Sequence, residues 1–446
     1  MLVAEACEIA QERTAMNKYR FLLVLVLFVS ISARTAAAQQ ILKINHVTVI
    51  DINSGSLKPN ATVIISGNRV VEIRPTAPSD GPTDAQNVDG TGKFLIPGLW
   101  DMHVHLGNAT EAALPLLVSL GVTGVRDMGS PSYSTLRRWR IEALSGKRIG
   151  PRIVAPGPIL TMGDPYYWEL VIHNPEDGRR AVDSLAEEGV DFIKITQTLD
   201  RDTYFAVADE ARKLNLALAG HLPVAENGIG YKVSGIEASN AGQKSFEHLQ
   251  GIPLPFEKQE PELIPTLLKN GTWICPTLTA YYARAHVHDL AEQEDSRLMH
   301  IAPGFKQFWD AQLPGYPKSS AINLKVFEWR SSEVLTLYKA GVPLLAGTDL
   351  GFAYVFPGDV IKELEFFVKA GVSPLDALRT ATLNPARYLK LDDVLGSIEP
   401  GKIADLVLVS ANPLDDVGNL RKVEAVVLNG RYLDRTKLDE AVQTFK

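Results

Sequence analysis

Cysteine is almost missing from this chain. Of 446 residues only Cys7 and Cys275 are cysteines, and Cys7 lies in a segment expected to be removed. No intrachain disulfide can then staple the fold, so core packing must hold it. A basic stripe is also lacking: 45 Lys+Arg against 52 Asp+Glu leave a formal net charge of -7. That argues against a nucleic-acid binder. Internal repeats and low-complexity tracts are absent. The apolar run from Phe21 covers only about 13 residues, short of the ~20 that span a bilayer.

That run has another use. Lys18 and Arg20 precede it, and Ala36, Ala37 and Ala38 follow it. This is the three-part layout of a secretory signal, residues 1–38, with cleavage after Ala38. Residues before Met16 read as a misassigned start, because such a signal begins with its charged region. An uncleaved membrane anchor is the competing reading. The expected product is secreted or periplasmic, with no stable membrane span after removal. Cys275, in "TWICPTL", reads as a small buried apolar residue, a catalytic thiol being the alternative.

Beyond the signal, apolar strand-like runs alternate with amphipathic stretches. Eight such runs lie at 99–105, 121–128, 152–157, 191–196, 217–222, 245–249, 272–278 and 343–349. Strands alternating with helical candidates such as "DGRRAVDSLAEEG" imply a parallel sheet. Eight units predict an α/β fold of the (β/α)₈ TIM-barrel type over 96–396. Residues 39–95 and 397–446 break the rhythm with hairpin-like strands, and predict one small β-sandwich built from both chain ends. Two long non-repetitive stretches remain, "PILTMGDPYYWELVIHNPED" and 279–328. They read as walls or lids of a pocket, or as surface decoration.

One strand carries a contradiction. In "DFIKIT", Lys194 sits between Ile193 and Ile195, and a buried ammonium is costly unless paired or chemically changed. Strand parity puts Phe192, Lys194 and Thr196 on one face and the isoleucines on the other. His103 and His105 form an H-x-H on the first strand, where both rings can point the same way. Taken alone, a surface pair explains H-x-H equally well. His286 and His288 repeat the spacing in a segment that reads as helix or loop, where the two directions diverge. His221, His248 and Asp349 end the fifth, sixth and eighth strands, on the face where such barrels build active sites. Imidazole and carboxylate suit zinc and related divalent ions. A lysine amine that has captured CO₂ becomes an anionic carbamate able to bridge two ions. Four histidines, that carbamate and Asp349 would complete a binuclear site; without the histidines, a snorkelling lysine would be the default.

The stretches "LIPGLWDMHVHLG", "GVTGVRDMG", "DFIKI", "GHLP", "SFEHL", "AGVPLLAGTDLG" and "GSIEPGKIADLVLVSANPLDD" resemble the metal-dependent amidohydrolase superfamily. The resemblance is to its imidazolonepropionase-like and prolidase-like (Xaa-Pro dipeptidase type) branch. It covers about residues 45 to 432. It implies His103 and His105 on a buried ion, His221 and His248 on an exposed one, Lys194 bridging, and Asp349 as ligand and catalytic acid–base. Many such relatives have a histidine shortly after the last aspartate, whereas "LGFAYVFPGD" has none.

The function expected is therefore an exported binuclear metal-dependent hydrolase. It would cleave an amide bond of a dipeptide or N-acyl amino acid by a hydroxide that bridges two divalent ions, zinc foremost. Arg126 is offered for a substrate carboxylate, or for an ion pair with Asp127 or another acid. Asp101 is expected to orient a histidine. Tyr231 and the Tyr166–Trp168 group are candidates for the pocket wall. The alternative enzyme is a mononuclear deaminase or cyclic-amide hydrolase of the imidazolonepropionase type, which needs no carbamate at Lys194. A barrel that only binds ligands is the non-enzymatic reading. Homo-oligomerisation stays open.

Overall fold

The unit around Lys194 shows how the sequence builds the fold. The helix Pro175–Glu188 starts on Asn174, whose side chain accepts the Asp177 N–H at 2.9 Å. Pro175 presets its first turn, and Gly189 ends it in the left-handed region at φ 77°. Ala181, Val182 and Leu185 form its buried face. They share one hydrophobic cluster with Ile193 and Ile195 of the strand Phe192–Ile195. Cutting either isoleucine to alanine would cost about 2–5 kcal/mol. Lys194 falls on the other face, as the period of two requires.

The computed structural model describes residues 41–444 except 78–83, 110, 131, 165–168, 226–229, 254–259, 290–293, 317–320 and 352–353. The signal segment 1–38 and Tyr166–Trp168 lie outside the described residues. Among the described residues, no helix is long and apolar enough to cross a membrane.

The result is an α/β fold with parallel sheets. Leu99–Val104, Val122–Asp127 and Arg152–Val154 form a three-stranded parallel sheet. Phe192–Ile195, Ala217–Gly220, Gln243–Glu247 and Trp273–Cys275 follow one another in a six-stranded one. The remaining two strands of the latter, Ile159–Thr161 and Glu169–Val171, come from the stretch after the third strand. That stretch was expected to be non-repetitive; paired backbone takes it over. Asp191 N–H donates to the Ala155 carbonyl at 3.0 Å, linking the two sheets.

The expected eighth strand, 343–349, is reduced to isolated bridges at Leu344 and Leu350. Close packing explains the interruption. A Cβ on Gly347 would stand 2.5 Å from Cys275 Sγ and 2.8 Å from His103 Cβ. Asp349 then turns into the left-handed region at φ 66°. Single bonds still tie the segment to the first strand, with Met102 N–H to Ala346 O at 2.9 Å and Asp349 N–H to His103 O at 2.8 Å.

Strands from 41–97 and from 406–434 enter one eight-stranded sheet, which runs from Arg431–Asp434 to Arg69–Pro75. Leu406–Val409 pairs with Phe94–Pro97 there, so residues some 300 apart in sequence share a ladder. The stretch 279–328 is largely helical where described: Leu278–His286, Pro303–Gln312 and Ala321–Lys339. Pro303 opens the second of these, and the fully buried Trp309 packs 5.3 Å from the Phe356 ring. Its aromatic residues go into burial, as at Trp309, and into the wall of a pocket, as at Tyr281.

Candidate active site

His103 and His105 lie at the end of the first strand, two positions apart and so of the same parity, with ring centroids 5.5 Å apart. His103 Nδ1 is 2.8 Å from Glu247 Oε2, and His105 Nδ1 is 2.9 Å from the Gly129 carbonyl. Each acceptor takes an N–H from Nδ1, which leaves the Nε2 lone pair for a ligand. Both Nε2 atoms converge on Asp349 Oδ1, at 3.4 and 3.5 Å. The donor atoms of these three residues lie within 4.8 Å of one another.

His248 continues the cluster, with its ring 4.6 Å from that of His103 and 5.0 Å from that of His221. Its Nδ1 is 2.7 Å from Thr277 Oγ1. Two consecutive residues, Glu247 and His248, both serve the site because His248 leaves the strand at φ 58°. Lys194 is only 1% exposed and lines a cavity of about 490 Å³ with His105, His221, His248 and Asp349. Gly220 makes room for it: a Cβ there, at φ +127°, would meet Ile195 O at 2.4 Å and Lys194 Cδ at 2.9 Å. All six metal-ligand candidates from the sequence thus come together. A larger cavity of about 560 Å³, beside Phe192 and Tyr388, is lined by none of them.

The electrostatics suit ligand duty. Burial draws the Lys194 amine down to about 8, against the pull of Glu247 and Asp349. Burial also lowers His103 to about 4 and keeps His221 and His248 well below the usual histidine value. The rings are therefore neutral donors at neutral pH. The Asp349 carboxyl lies well below its usual value despite burial, His248 being the first of the groups that lower it. Four buried atoms of the site have no hydrogen-bond partner among the described residues: His103 Nε2, Lys194 Nζ, His221 Nδ1 and Asp349 Oδ1. Orphaned polar atoms are expensive, and nitrogen and oxygen donors clustered this way fit divalent cations.

Two expectations need correction. Arg126 does not face the cavity. Its Nε donates to Met102 O at 2.6 Å, and Nη1 to Ser245 Oγ at 2.8 Å and Tyr388 OH at 2.9 Å. Nη2 donates to both Glu247 oxygens, at 2.9 and 2.8 Å. All five guanidinium donors are spent, so a substrate carboxylate finds none. Asp127 is not its partner either, since that carboxylate accepts from Leu106 N, Gly129 N and Ser130 Oγ. Asp101 holds backbone rather than an imidazole: it accepts from His103 N at 3.2 Å and Thr348 N at 3.0 Å. It also takes the Thr348 hydroxyl at 2.7 Å.

Other candidates fall outside. His286 pairs with Asp289 and stacks on Tyr282 at 4.1 Å, while exposed His288 approaches the Tyr316 carbonyl. Neither lines the cavity, nor does Tyr231. Cys275 is buried, as read. Residues missed in the sequence are Glu247 and Glu363. Glu363 accepts from Leu278 N, Thr279 N and Thr279 Oγ1 at 2.7–2.9 Å, which fixes the turn carrying Thr277. Glu247 was visible beside His248 in "SFEHL", but strict alternation assigns only one of the two to the interior.

Residues 94–433 match the Amidohydrolase family. The chain belongs to the amidohydrolase family. Ochratoxinase from Aspergillus niger is 23% identical over 394 residues, covering 74% of this chain and 73% of the relative. A prolidase solved in complex with N-methylphosphonate-L-proline superposes with a TM-score of 0.67 at 25% identity, over 89% of this chain and 100% of the other. Bottromycin amidohydrolase gives a TM-score of 0.73 at 22% identity, over 92% and 91%. These likenesses place this amidohydrolase near prolidase-like proteins. Its site supports metal-dependent hydrolysis of carbon–nitrogen bonds in a small molecule.

Proposed function

We propose that this amidohydrolase is an exported binuclear hydrolase of an amide bond, in a dipeptide or an N-acyl amino acid. The four orphaned buried atoms, His103 Nε2, Lys194 Nζ, His221 Nδ1 and Asp349 Oδ1, carry the reading. His103 and His105 would hold one divalent ion, His221 and His248 the other, with Asp349 on the first and carboxylated Lys194 between them. When bound, zinc or a similar ion would supply Lewis-acid polarisation and a water activated near neutral pH.

The chain's own residues do the rest. Carboxylation consumes neutral amine, and a lysine titrating near 8 is roughly 10% neutral at pH 7, against about 0.03% for an ordinary one. Asp349 Oδ1 accepts the proton of the attacking water and returns it to the departing amine nitrogen. His103, His221 and His248 stay neutral throughout. A prolidase and an amidohydrolase among the similar structures support amide chemistry by their names. The reading includes a closed (β/α)₈ barrel at 96–396, a sandwich from 39–95 and 397–446, and export directed by residues 1–38.

The three-residue set His103, His105 and Asp349 favours a second reading, a mononuclear deaminase or cyclic-amide hydrolase. Metal content decides between them. Protein purified with bicarbonate and without chelator should carry close to two equivalents and release amine from dipeptides or N-acyl amino acids. One equivalent and no amine release would overturn the binuclear reading.

A further inference from the structure

Three arginines approach the site region, and two of them are buried away from the cavity. Arg126 has every donor occupied. Arg330, also buried, donates to the Leu249 and Ile252 carbonyls at 3.2 and 3.1 Å. Arg284 is different: it is exposed, it lines the same cavity as Lys194 and the histidines, and it pairs with no carboxylate among the described residues.

Its position is fixed relative to the metal ligands. Arg284 follows Tyr281 by three residues on the helix Leu278–His286, so the two share a face about 4.5 Å apart along the axis. Tyr281 is anchored, because its hydroxyl donates to the His248 carbonyl at 2.6 Å. The Arg284 guanidinium carbon lies 5.8 Å from the Tyr281 ring centroid, and Tyr316 is within hydrogen-bonding reach of it. Two carboxylates, Asp164 and Glu169, line the cavity as well. They would repel an anionic group from their own side.

We propose that Arg284 receives a carboxylate of the substrate, and so makes the enzyme selective for amides that carry a free carboxylate. This deepens the proposed function and rests on it. The carboxylate is either the α-carboxylate of the residue beyond the scissile bond or an acidic side chain. Both offer the planar pair of oxygens that a guanidinium binds through two parallel hydrogen bonds.

The test is binding of three probes to the full-length enzyme as purified, measured by calorimetry, with KM in its place for any probe that turns over. N-acetyl-L-leucine carries an α-carboxylate, N-acetyl-L-leucine amide carries none, and N-acetyl-L-glutamate α-amide carries only the side-chain group. At least one carboxylate probe should bind about 10- to 100-fold more tightly than the neutral amide, and which one does so identifies the source. Arg284→Gln should abolish that advantage without weakening the neutral probe, and Arg284→Lys should restore part of it. An advantage that survives Arg284→Gln, or no advantage in the wild type, overturns the proposal. Melting temperatures of the exposed-site variants separate misfolding from lost recognition, with Arg284→Lys deciding if Arg284→Gln is unstable. Absence of amine release with an intact, Arg284-dependent preference would count against the hydrolase reading alone.

Discussion

Arg126 and Glu247 form a bidentate ion pair with both side chains fully buried, and the same Glu247 Oε2 takes His103 Nδ1 at 2.8 Å. The pair therefore connects the parallel strands Val122–Asp127 and Gln243–Glu247 to a metal-ligand candidate. Arg126 holds the Glu247 carboxylate well below its usual range despite burial. An ionised acceptor fixes the His103 tautomer.

Glu247→Gln should separate stability from ligand orientation. It leaves the Arg126 charge buried and unpaired, which costs about 3–5 kcal/mol. It also weakens the hold on His103, lowering metal affinity roughly 10- to 100-fold. Adding Arg126→Met should recover much of the stability and none of the affinity. Urea melts and metal titrations of the single and double variants check this; parallel recovery of both properties would refute the orienting role.

Lys194→Ala should reduce bound metal from about two equivalents to about one. The buried amine has no partner among the described residues, so its removal breaks no hydrogen bond and the fold should survive. Elemental analysis with and without bicarbonate reads the outcome. Two retained equivalents would mean that the lysine does not bridge.

Much of this was legible in the sequence because strand parity is rigid. Lys194 against Ile193 and Ile195, and His103 with His105, fall where a period of two puts them. The rest depended on breaks in that period. Positive φ at His248, Thr277 and Asp349 swings neighbours inward that alternation would send out, which hid Glu247. Of the roles offered for Arg126, the structure has the ion pair with another acid, Glu247, and not the substrate contact. That partner lies 121 residues away, and no local pattern announces a pairing at that distance. The helical 279–328 stretch likewise owes its order to tertiary burial of Trp309 more than to any clean local period.

Glu363 offers a pH test. Burial raises its carboxyl to about 8, against the three donors it accepts. Between about 4.5 and 8 the folded protein keeps a proton that the unfolded chain has released, so this group's contribution to stability falls as pH rises. Its contribution is complete below 4.5 and gone above about 8. Glu363→Gln cannot titrate. The stability difference between wild type and variant should therefore shrink steadily from pH 5 to pH 8, while the histidine contributions cancel. Urea unfolding of both proteins across that range measures it. A pH-independent difference would show that the carboxyl ionises normally.

Gly220→Ala should strike stability and metal binding together. The new Cβ would sit 2.4 Å from Ile195 O and 2.9 Å from Lys194 Cδ, on backbone at φ +127°. Strain of that kind costs on the order of 1–3 kcal/mol, and the backbone clash adds a similar amount. Lys194 cannot keep its place beside the new methyl group, so the second metal equivalent should weaken too. Gly242→Ala is the control. It shares the positive φ, +94°, but its Cβ would meet nothing within 4 Å, so only the backbone strain should appear. If both variants lose stability equally and both keep two equivalents of metal, the contact between Gly220 and Lys194 has no part in shaping the site.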